Sequence, residues 1–206
     1  MSMNDHYYSE HPQAESHPQV ISVELRGIPC HFTTDAGVFS RKGVDFGSRL
    51  LIESFRESPV PGRILDMGCG YGPIGIALAK AFPERRIMMA DINERAVRLA
   101  HENVNANHVT ADVVQSHLFT HVDGTFAAIV TNPPIRAGKK IVREIFQDAF
   151  HHLVSGGEFW SVIQKKQGAP SALTALRELF GTVQIEARKK GYHVFCAKKI
   201  DNKNRL

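Results

Sequence analysis

From residue 63 onward, short apolar runs alternate with stretches in which apolar residues recur every three or four positions. The runs are typical of buried strands and the spaced pattern of amphipathic helices, because helix side chains repeat about every 3.6 residues. The predicted strands are 63–67, 86–90, 109–114, 125–131, 158–163, 182–187 and 192–198. The predicted helices are 73–82, 94–105, 141–154 and 171–180.

This alternation predicts an α/β fold of the Rossmann-like, doubly wound type, with a mostly parallel seven-stranded sheet covered on both faces. A short basic turn containing Gly191 joins the last two strands, so the terminal strand should be antiparallel. Upstream, residues 20–34 alternate around Gly27, which predicts an N-terminal β-hairpin that caps the sheet. A helix is predicted at 48–55, after a glycine-rich loop.

The length and composition fit one globular domain, because 206 residues with 43% apolar and 22% charged side chains can bury a substantial core. We predict a polar tail at 1–18 and a single domain at 19–206, divided into a hairpin and helix cap at 19–60 and a ligand-binding core at 61–200. No segment approaches the roughly twenty apolar residues of a membrane span, and the tail shows no secretory signal. A cytoplasmic location is therefore expected.

The cysteines and histidines show no spacing that indicates a structural cross-link or a metal. Cys30, Cys69 and Cys196 are widely separated and odd in number, so we expect all three to be reduced. The eleven histidines lie partly in the tail and partly in an adjacent pair at 151–152, without convincing ligand spacing. We therefore expect no metal site.

The net charge of +4 and the pI near 9.0 favour an anionic partner, because surface lysine and arginine release counterions when they neutralise phosphates. Several basic clusters directly follow predicted strands. They lie at 41–42, 136–140, 165–166, 188–190 and 198–199. Solvated loop charge without a partner is an equally open alternative.

Several glycine, aspartate and asparagine residues lie at or just after the ends of predicted strands. They are Asp66, Gly68, Asp91, Asp112 and Asn132. In open α/β sheets, ligands bind beyond the carboxyl ends of the strands, near the point where the strand order reverses. We therefore expect these five residues to converge on one rim of the sheet.

The glycine-rich turn at 68–75 is suited to a nucleotide-like ligand. Gly68, Gly70 and Gly72 leave no Cβ in the turn, and the helix that starts near Pro73 offers a positive N-terminus. The turn also matches the dinucleotide fingerprint, with Asp91 about twenty residues on, so a dehydrogenase must be considered. No residues suited to hydride transfer follow, whereas the Asn-Pro-Pro-Ile segment at 132–135 has an evident use in amine alkylation.

The sequence resembles the class I S-adenosylmethionine methyltransferases, and among them the small methyltransferase domain of bacterial ribosomal RNA guanine-N2 methyltransferases. The resemblance covers nearly the whole chain. It rests on the segments 34–40, 44–51, 66–75, 91–93 and 132–135. The segments 34–40 and 44–51 identify the subgroup more specifically than the glycine turn alone can.

This resemblance implies which residues bind the cofactor, S-adenosylmethionine. The turn containing Asp66, Gly68, Cys69 and Gly70 would hold its methionine part, and Asn132 would lie beside it. Asp91 with Ile92 would bind the ribose, and Asp112 would bind near the adenine amine. The simpler alternatives are that Asp91 caps the next helix and that Asp112 caps the end of a strand.

The resemblance also implies how an amine is held for methylation. The side-chain oxygen of Asn132 and the carbonyl of Pro133 would each accept a hydrogen bond from the target NH2 group, while Pro133 and Pro134 fix the backbone and Ile135 completes the motif. A turn that merely ends a strand is the alternative. Many relatives carry an aromatic residue in place of Ile135.

The residues that contact the substrate are less clearly indicated by the sequence. Phe39 and Phe46 are candidates to stack on a flipped base, although each could equally be a core residue. Arg136 could grip a phosphate or simply be solvated at a helix start.

These implications lead to one main hypothesis and two alternatives. The main hypothesis is an S-adenosylmethionine-dependent methyltransferase of an RNA exocyclic amine, namely guanine N2 of ribosomal RNA, acting on an extruded base. Its partner would be ribosomal RNA or a ribosomal subunit. The first alternative is methylation of a protein glutamine amide, which overall basicity disfavours. The second is a non-catalytic RNA-binding or assembly protein, which the intact glycine turn and Asn132 disfavour.

Overall fold

The computed structural model describes residues 10–12 and 14–200, so residues 1–9 and 13 of the predicted tail lie outside the described residues. The strands are β1 (Gln19–Leu25), β2 (Ile28–Thr34), β3 (Arg63–Met67), β4 (Ile87–Asp91), β5 (Ala111–Gln115), β6 (Phe126–Thr131), β7 (Leu153–Gln164), β8 (Val183–Lys189) and β9 (Tyr192–Lys198). The helices are α1 (Phe46–Ser54), α2 (Pro73–Ala81), α3 (Glu94–Ala106), α4 (Lys139–His152) and α5 (Ala169–Phe180).

Strands β3 to β9 form one sheet of seven strands in the order β5-β4-β3-β6-β7-β9-β8. The first five in this order are parallel to one another, and β9 runs antiparallel to β7 and β8. The predicted fold class, including its antiparallel terminal strand, is confirmed. Because the chain moves outward from β3 to β5 and returns to β6, the strand order reverses between β3 and β6. A ligand crevice is expected at the carboxyl ends of these two strands.

Apolar side chains on both faces of the sheet form two buried clusters. Ile64 of β3 belongs to the cluster that includes α1 and α2, whereas its neighbour Leu65 belongs to the cluster that includes α4 and α5. This division follows from the strand pleat, which points successive side chains to opposite faces. All six residues of β6 are buried, as expected for a central strand covered on both sides. Among the described residues, no helix is long and apolar enough to cross a membrane.

Strands β1 and β2 form the predicted hairpin as a separate two-stranded sheet, which contacts α2 and α3. The carboxamide of Asn103 on α3 accepts from the Thr33 amide at 2.7 Å and donates to the Thr33 carbonyl at 2.9 Å. Asn107 bonds His31 in the same way, at 3.0 and 2.6 Å. These two side chains satisfy the free edge of β2 as another strand would. The hairpin therefore covers the helical layer, and the expectation that it caps the sheet itself needs this correction.

The main difference from the predicted boundaries lies at the start of β7. The sequence predicts a helix to 154 and a strand from 158, because Gly156 and Gly157 look like a break, but α4 ends at His152 and β7 begins at Leu153. A Cβ at Gly157 would lie 2.9 Å from the Val154 carbonyl oxygen, so only glycine lets the strand pass this point. The pairing of β6 with β7 shifts register here.

Candidate active site

A cavity of about 450 Å³ opens at the carboxyl ends of the parallel strands, within the size range of small-molecule sites. Most of the residues predicted to form a site line it. They are Gly68, Gly70, Asp91, Ile92, Asn132, Pro133, Pro134, Ile135, Phe39 and Arg136. Asp66, Cys69, Asp112 and Phe46 are not among its lining residues. The predicted residues thus bring the ends of β3, β4 and β6 and one upstream loop to a single cavity.

The glycine turn after β3 forms an open cradle on one side of the cavity. Gly68 and Gly70 have φ values of +73° and +57°, which residues with side chains rarely adopt, and a Cβ built on either would meet no atom within 4 Å. The amides of Gly68 and Cys69 donate to the Ala90 carbonyl of β4 at 2.8 and 3.0 Å, which fixes the turn against the neighbouring strand. A ligand can therefore approach this backbone closely.

Asp91 ends β4 and holds the glycine turn. Its Oδ2 accepts from the Gly70 amide at 2.7 Å, and its Oδ1 accepts from the Asn93 amide at 2.9 Å. Burial raises the pKa of this carboxyl, while these two bonds lower it. The alternative that Asp91 caps the following helix is wrong, because the N-cap of α3 is Asn93, whose side chain accepts from the Ala96 amide at 3.1 Å.

Asp66 lies beneath the cavity rather than on its surface. The side chain is fully buried, its Oδ2 accepts from the Gly75 amide at 2.8 Å, and its Oδ1 has no partner among the described residues. Burial raises its pKa to about 7, and the nearby charge of Asp91 adds to this, while the Gly75 bond acts in the opposite direction. The thiol of Cys69 is also buried, and burial raises the pKa of this thiol well above its ordinary value.

The predicted location of Asp112 on this rim is wrong. Asp112 is the second residue of β5, is exposed, and lies at the opposite edge of the sheet, near the start of β4. The strand begins later than predicted and continues to Gln115, so Ser116 and Leu118 occupy the cavity wall where Asp112 was expected. The alternative that Asp112 caps a strand end fails for the same reason.

Asn132, directly after β6, is tied to the N-terminus of α1. Its Nδ2 donates to the Ser48 Oγ at 2.9 Å and to the Asp45 Oδ2 at 3.1 Å. Asp45 is in turn the N-cap of α1 and accepts from the Gly47 amide at 2.8 Å. Neither Asp45 nor Ser48 was predicted as a site residue, although both lie in the segment 44–51 that supports the family resemblance.

The two prolines and Ile135 form a tight turn beside this carboxamide. The Pro133 carbonyl accepts from the Ile135 amide at 2.8 Å, and the Pro134 carbonyl accepts from the Ala137 amide at 2.9 Å. Because a carbonyl oxygen has two lone pairs, Pro133 keeps the capacity for one more donor. Both prolines are buried, and the hydroxyl of Thr131 donates to the Met67 carbonyl at 2.7 Å, which joins the ends of β6 and β3.

The aromatic and basic candidates occupy different places. Phe39 lines the cavity and is 39% exposed, and Arg136 is exposed at the same mouth. Phe46 instead packs against Tyr192, with ring centroids 5.5 Å apart, and the Lys190 ammonium lies 5.0 Å from its ring centroid. Tyr192 lines the cavity, so Phe46 supports an aromatic wall that the sequence did not indicate. Gln164, the last residue of β7, and Gln167, just after it, also line the cavity and were not predicted.

No group of three or more metal-ligating side chains occurs within residues 10–12 and 14–200. The polar groups at the cavity include the carboxamides of Asn132, Gln164 and Gln167, the carboxylates of Asp45 and Asp91, the side chains of Ser40, Ser116, Tyr192 and Arg136, and backbone groups of the two turns. Such a set suits a polar organic ligand that carries both donors and a positive charge.

The chain is similar to known methyltransferases. The family model described as methyltransferase small domain matches residues 29–196. The uncharacterized protein YbxB of Bacillus subtilis is 56% identical over 96% of this chain and 100% of its own length. The ribosomal RNA small subunit methyltransferase C of Haemophilus influenzae is 31% identical over 88% of this chain, which spans 53% of that relative.

A solved structure shows the same architecture in a longer protein. The T. thermophilus 16S rRNA N2 guanosine methyltransferase RsmC, in complex with AdoMet and guanosine, superposes with a TM-score of 0.79 at 28% identity. The match covers 91% of this chain and 52% of that one, so the chain spans about half the length of these ribosomal RNA methyltransferase relatives. From the family match and these similarities, the chain belongs to the methyltransferase small domain family.

Proposed function

We propose that this protein is an S-adenosylmethionine-dependent methyltransferase that modifies an exocyclic amine of RNA, namely guanine N2 of ribosomal RNA. The observation that carries the proposal is the carboxamide of Asn132, which lines the cavity beside the glycine cradle while its NH2 group is bonded away to α1. Its oxygen is thereby left as an acceptor for a substrate amine.

The residues present fit the cofactor. The cradle at Gly68 and Gly70 has the space that a Cβ would fill, and the Asp66 Oδ1 is a buried oxygen without a partner among the described residues. Asp91 on the cavity wall, with the carboxyl group of Asp66 buried beneath it, gives this part of the site an acidic character that favours a cationic ligand. S-adenosylmethionine, when bound, supplies a methyl group on a positively charged sulfur. We assign its methionine part to the cradle, its ribose to Asp91 and Ile92, and its base to the wall at Ser116 and Leu118.

The chain's own contribution is to bind and orient the amine. The Asn132 Oδ1 and the Pro133 carbonyl each accept one N–H, which draws the nitrogen lone pair out of conjugation and aims it into the cavity. The amine becomes acidic only as its new bond forms, so no strong base is required at this site. Alignment of two reactants in this way lowers a barrier by several kcal/mol. The buried prolines keep the Pro133 carbonyl in a fixed direction.

A set of basic side chains, which we call the basic rim, supports RNA as the substrate. It comprises Arg41, Lys42, Arg136, Lys139, Lys140, Arg143, Lys165, Lys166, Arg188, Lys189 and Lys190, all exposed. These are eleven of the chain's 25 lysines and arginines, and they lie at or after the carboxyl ends of β6, β7 and β8 or precede α1. The segments 132–143, 164–177 and 187–199 contain no Asp or Glu. Unbalanced positive charge around the cavity mouth fits a phosphate backbone.

Two alternatives make different demands on the same features. A protein glutamine amide could occupy the Asn132 and Pro133 acceptors, but it gives no reason for a basic rim. A non-catalytic assembly protein would explain the basic rim, but it needs neither the glycine cradle nor an oriented Asn132. Ribosomal RNA accounts for all three features, and the cytoplasmic location predicted from the sequence is part of this proposal.

Methyl transfer from labelled S-adenosylmethionine tests the proposal directly. The purified protein is incubated with naked ribosomal RNA, ribosomal subunits and ribosomal proteins, and the products are digested to nucleosides or amino acids for mass spectrometry. The expected product is N2-methylguanosine in RNA. Methylglutamine in protein would replace the proposal with its first alternative, and tight RNA binding without transfer to any acceptor would replace it with the second.

A further inference from the structure

We propose that Asp45 and Ser48 are positioning residues that fix the carboxamide of Asn132 with its oxygen toward the substrate amine. The inference rests on the proposed function, because it assigns a task to two residues next to that site. It starts from the tethers of Asn132 Nδ2 to Ser48 Oγ at 2.9 Å and to Asp45 Oδ2 at 3.1 Å.

The hydrogen bonds in this network have only one consistent direction. An ionised carboxylate accepts and does not donate, so the Ser48 hydroxyl gives its proton to Asp45 Oδ2. The Ser48 oxygen is then an acceptor as well, and the group of Asn132 that faces both must be its NH2. A carboxamide turned by 180° would set its oxygen against a carboxylate and a hydroxyl oxygen whose proton is already used. The network therefore selects one orientation of Asn132.

The network is held in place before any substrate binds. Asp45 is fixed as the N-cap of α1, and Ser48 is buried with only 4% of its surface exposed. Between them, a Cβ at Gly47 would lie 2.9 Å from Tyr192 Cε1 and 3.1 Å from Asp45 Oδ1. Any larger residue at 47 would displace either the aromatic wall or the carboxylate. This packing accounts for an aspartate, a glycine and a serine at 45, 47 and 48.

Orientation matters because the two ends of a carboxamide have opposite roles. If Asn132 presented its NH2 group to the cavity, the hydrogens of that group would face the N–H hydrogens of the substrate amine. Two donors cannot bond each other, so the amine would be repelled. The bond from its NH2 to a carboxylate has a second effect, since it polarises the amide and strengthens its oxygen as an acceptor. Both effects act on the rate of transfer rather than on the cofactor.

Three variants separate this role from helix capping. Asp45→Ser keeps a good N-cap for α1, but its hydroxyl is too short to reach Asn132. Asp45→Asn keeps the reach and one acceptor oxygen. Ser48→Ala removes the second acceptor. Asp123→Ser is the matched control, because Asp123 is exposed at the opposite edge of the sheet, where its carbonyl accepts from Arg63.

Kinetics on ribosomal RNA give the first readout. We expect the Asp45→Ser/Ser48→Ala double variant to lose about tenfold or more in kcat, as removal of supporting partners commonly does. Its KM for RNA and its Kd for S-adenosylmethionine should stay near the wild-type values, and its Tm should match that of Asp123→Ser. Asp45→Asn should fall between the double variant and the wild type, because its single oxygen can accept either from the Gly47 amide or from Asn132, but not from both. Wild-type kcat in the folded double variant would overturn the inference, as would a loss that appears in cofactor affinity instead.

A second readout does not depend on any substrate. The side-chain amide signal of Asn132, identified in the NMR spectrum by its absence from Asn132→Ala, should be shifted and slow to exchange in the wild type and in Asp123→Ser. It should move to the position of a solvated amide in the double variant, and part of the way in Ser48→Ala. If RNA is not methylated but these shifts occur, the proposed substrate fails and the orientation stands. If the signal is the same in all four proteins, the orientation fails whatever the substrate.

Discussion

Replacing Asp66 with asparagine should change how the stability of the protein depends on pH. The asparagine side chain has nearly the same shape and can still accept from the Gly75 amide, but it cannot ionise. In the wild type the carboxyl is fully buried, one of its oxygens has no partner among the described residues, and its pKa is raised to about 7. The substitution therefore removes the cost of placing a charge in this interior.

The direction of the effect follows from proton linkage. The pKa of Asp66 rises from 3.8 in the unfolded chain to about 7 in the fold, so between these values the folded state binds more protons than the unfolded state. Stability is then lost as the pH rises through this window and is level above it. Asp91, whose pKa is also raised by burial, acts in the same direction, but it is common to wild type and variant.

The size of the effect can be worked out from the two pKa values. Integration of the linkage relation between pH 5 and pH 8 gives a loss of about 2 to 3 kcal/mol from Asp66 alone. For a chain of this length, that corresponds to a change of about 5 to 10 °C in the Tm difference between variant and wild type. A buried amide NH2 without a partner could make Asp66→Asn less stable at every pH, but that cost does not depend on pH.

Thermal unfolding of the cofactor-free protein, followed by circular dichroism or calorimetry from pH 5 to pH 8, measures this difference. The Tm of Asp66→Asn minus the Tm of the wild type should increase by several degrees as the pH is raised from 5 to 8. Asp123→Asn, an exposed substitution of the same chemistry, should show a constant difference. A constant difference for Asp66→Asn as well would mean that the carboxyl keeps an ordinary pKa, and the argument from its burial would be refuted.

Three further predictions address the site. Asn132→Ala should lower the rate of methyl transfer by at least about a hundredfold, as loss of a preorganised group at a reacting centre does. Calorimetry should show an unchanged Kd for S-adenosylmethionine. Weaker cofactor binding would instead place Asn132 among the cofactor-binding residues. Gly68→Ala should weaken binding of the cofactor. Gly27 in the β1–β2 turn is the control position, because it has the same φ of +73° and no atom near its missing Cβ. Gly27→Ala should therefore lower stability by a similar amount and leave the cofactor Kd unchanged. Lys165→Ala/Lys166→Ala should raise the KM for RNA and reduce its dependence on salt without affecting the cofactor Kd; equal salt slopes for variant and wild type would remove these lysines from the RNA contact.

Local patterns in the sequence were sufficient to predict the fold. Strand pleat and helix periodicity repeat within a few residues, so the order of elements could be identified without knowledge of their packing. The same reasoning was weakest where tertiary contacts decide the outcome. Gly156 and Gly157 look like a break in the sequence, yet both lie inside β7, where Gly156 has a φ of +75° and backbone oxygens approach Gly157 closely. Asp112 was misplaced because it lies inside the predicted strand 109–114 rather than after it, and the observed strand likewise runs on past it to Gln115.

The site could be predicted only as far as it consists of motifs. Gly68, Gly70 and Asn132 carry their own signal, because the chemistry demands those residue types. Asp45 lies 87 residues before Asn132 and meets it only after α1 has packed against the sheet. Tyr192, at the start of β9, reaches the cavity because the final hairpin inserts beside β7. Neither position shows a pattern of its own in a single sequence.

The two halves of the proposed reaction lie on different strands, and this arrangement explains why their effects should separate. The cofactor residues follow β3, β4 and β5, whereas the amine acceptors follow β6, on the other side of the point where the strand order reverses. Backbone pairing holds β3 beside β6, and two side-chain contacts anchor the end of β6: Thr131 bonds the Met67 carbonyl of β3, and Asn132 is bonded to the capped end of α1. Because both bonds anchor the end of β6, a change in either should shift the amine relative to the methyl group without disturbing the glycine cradle. Methyl transfer is sensitive to such shifts of about 1 Å, whereas cofactor affinity is not. A Thr131→Val variant, which keeps the shape and loses the bond, should therefore lower kcat while leaving the Kd for S-adenosylmethionine unchanged, and a parallel loss of both would show that the two halves are a single unit.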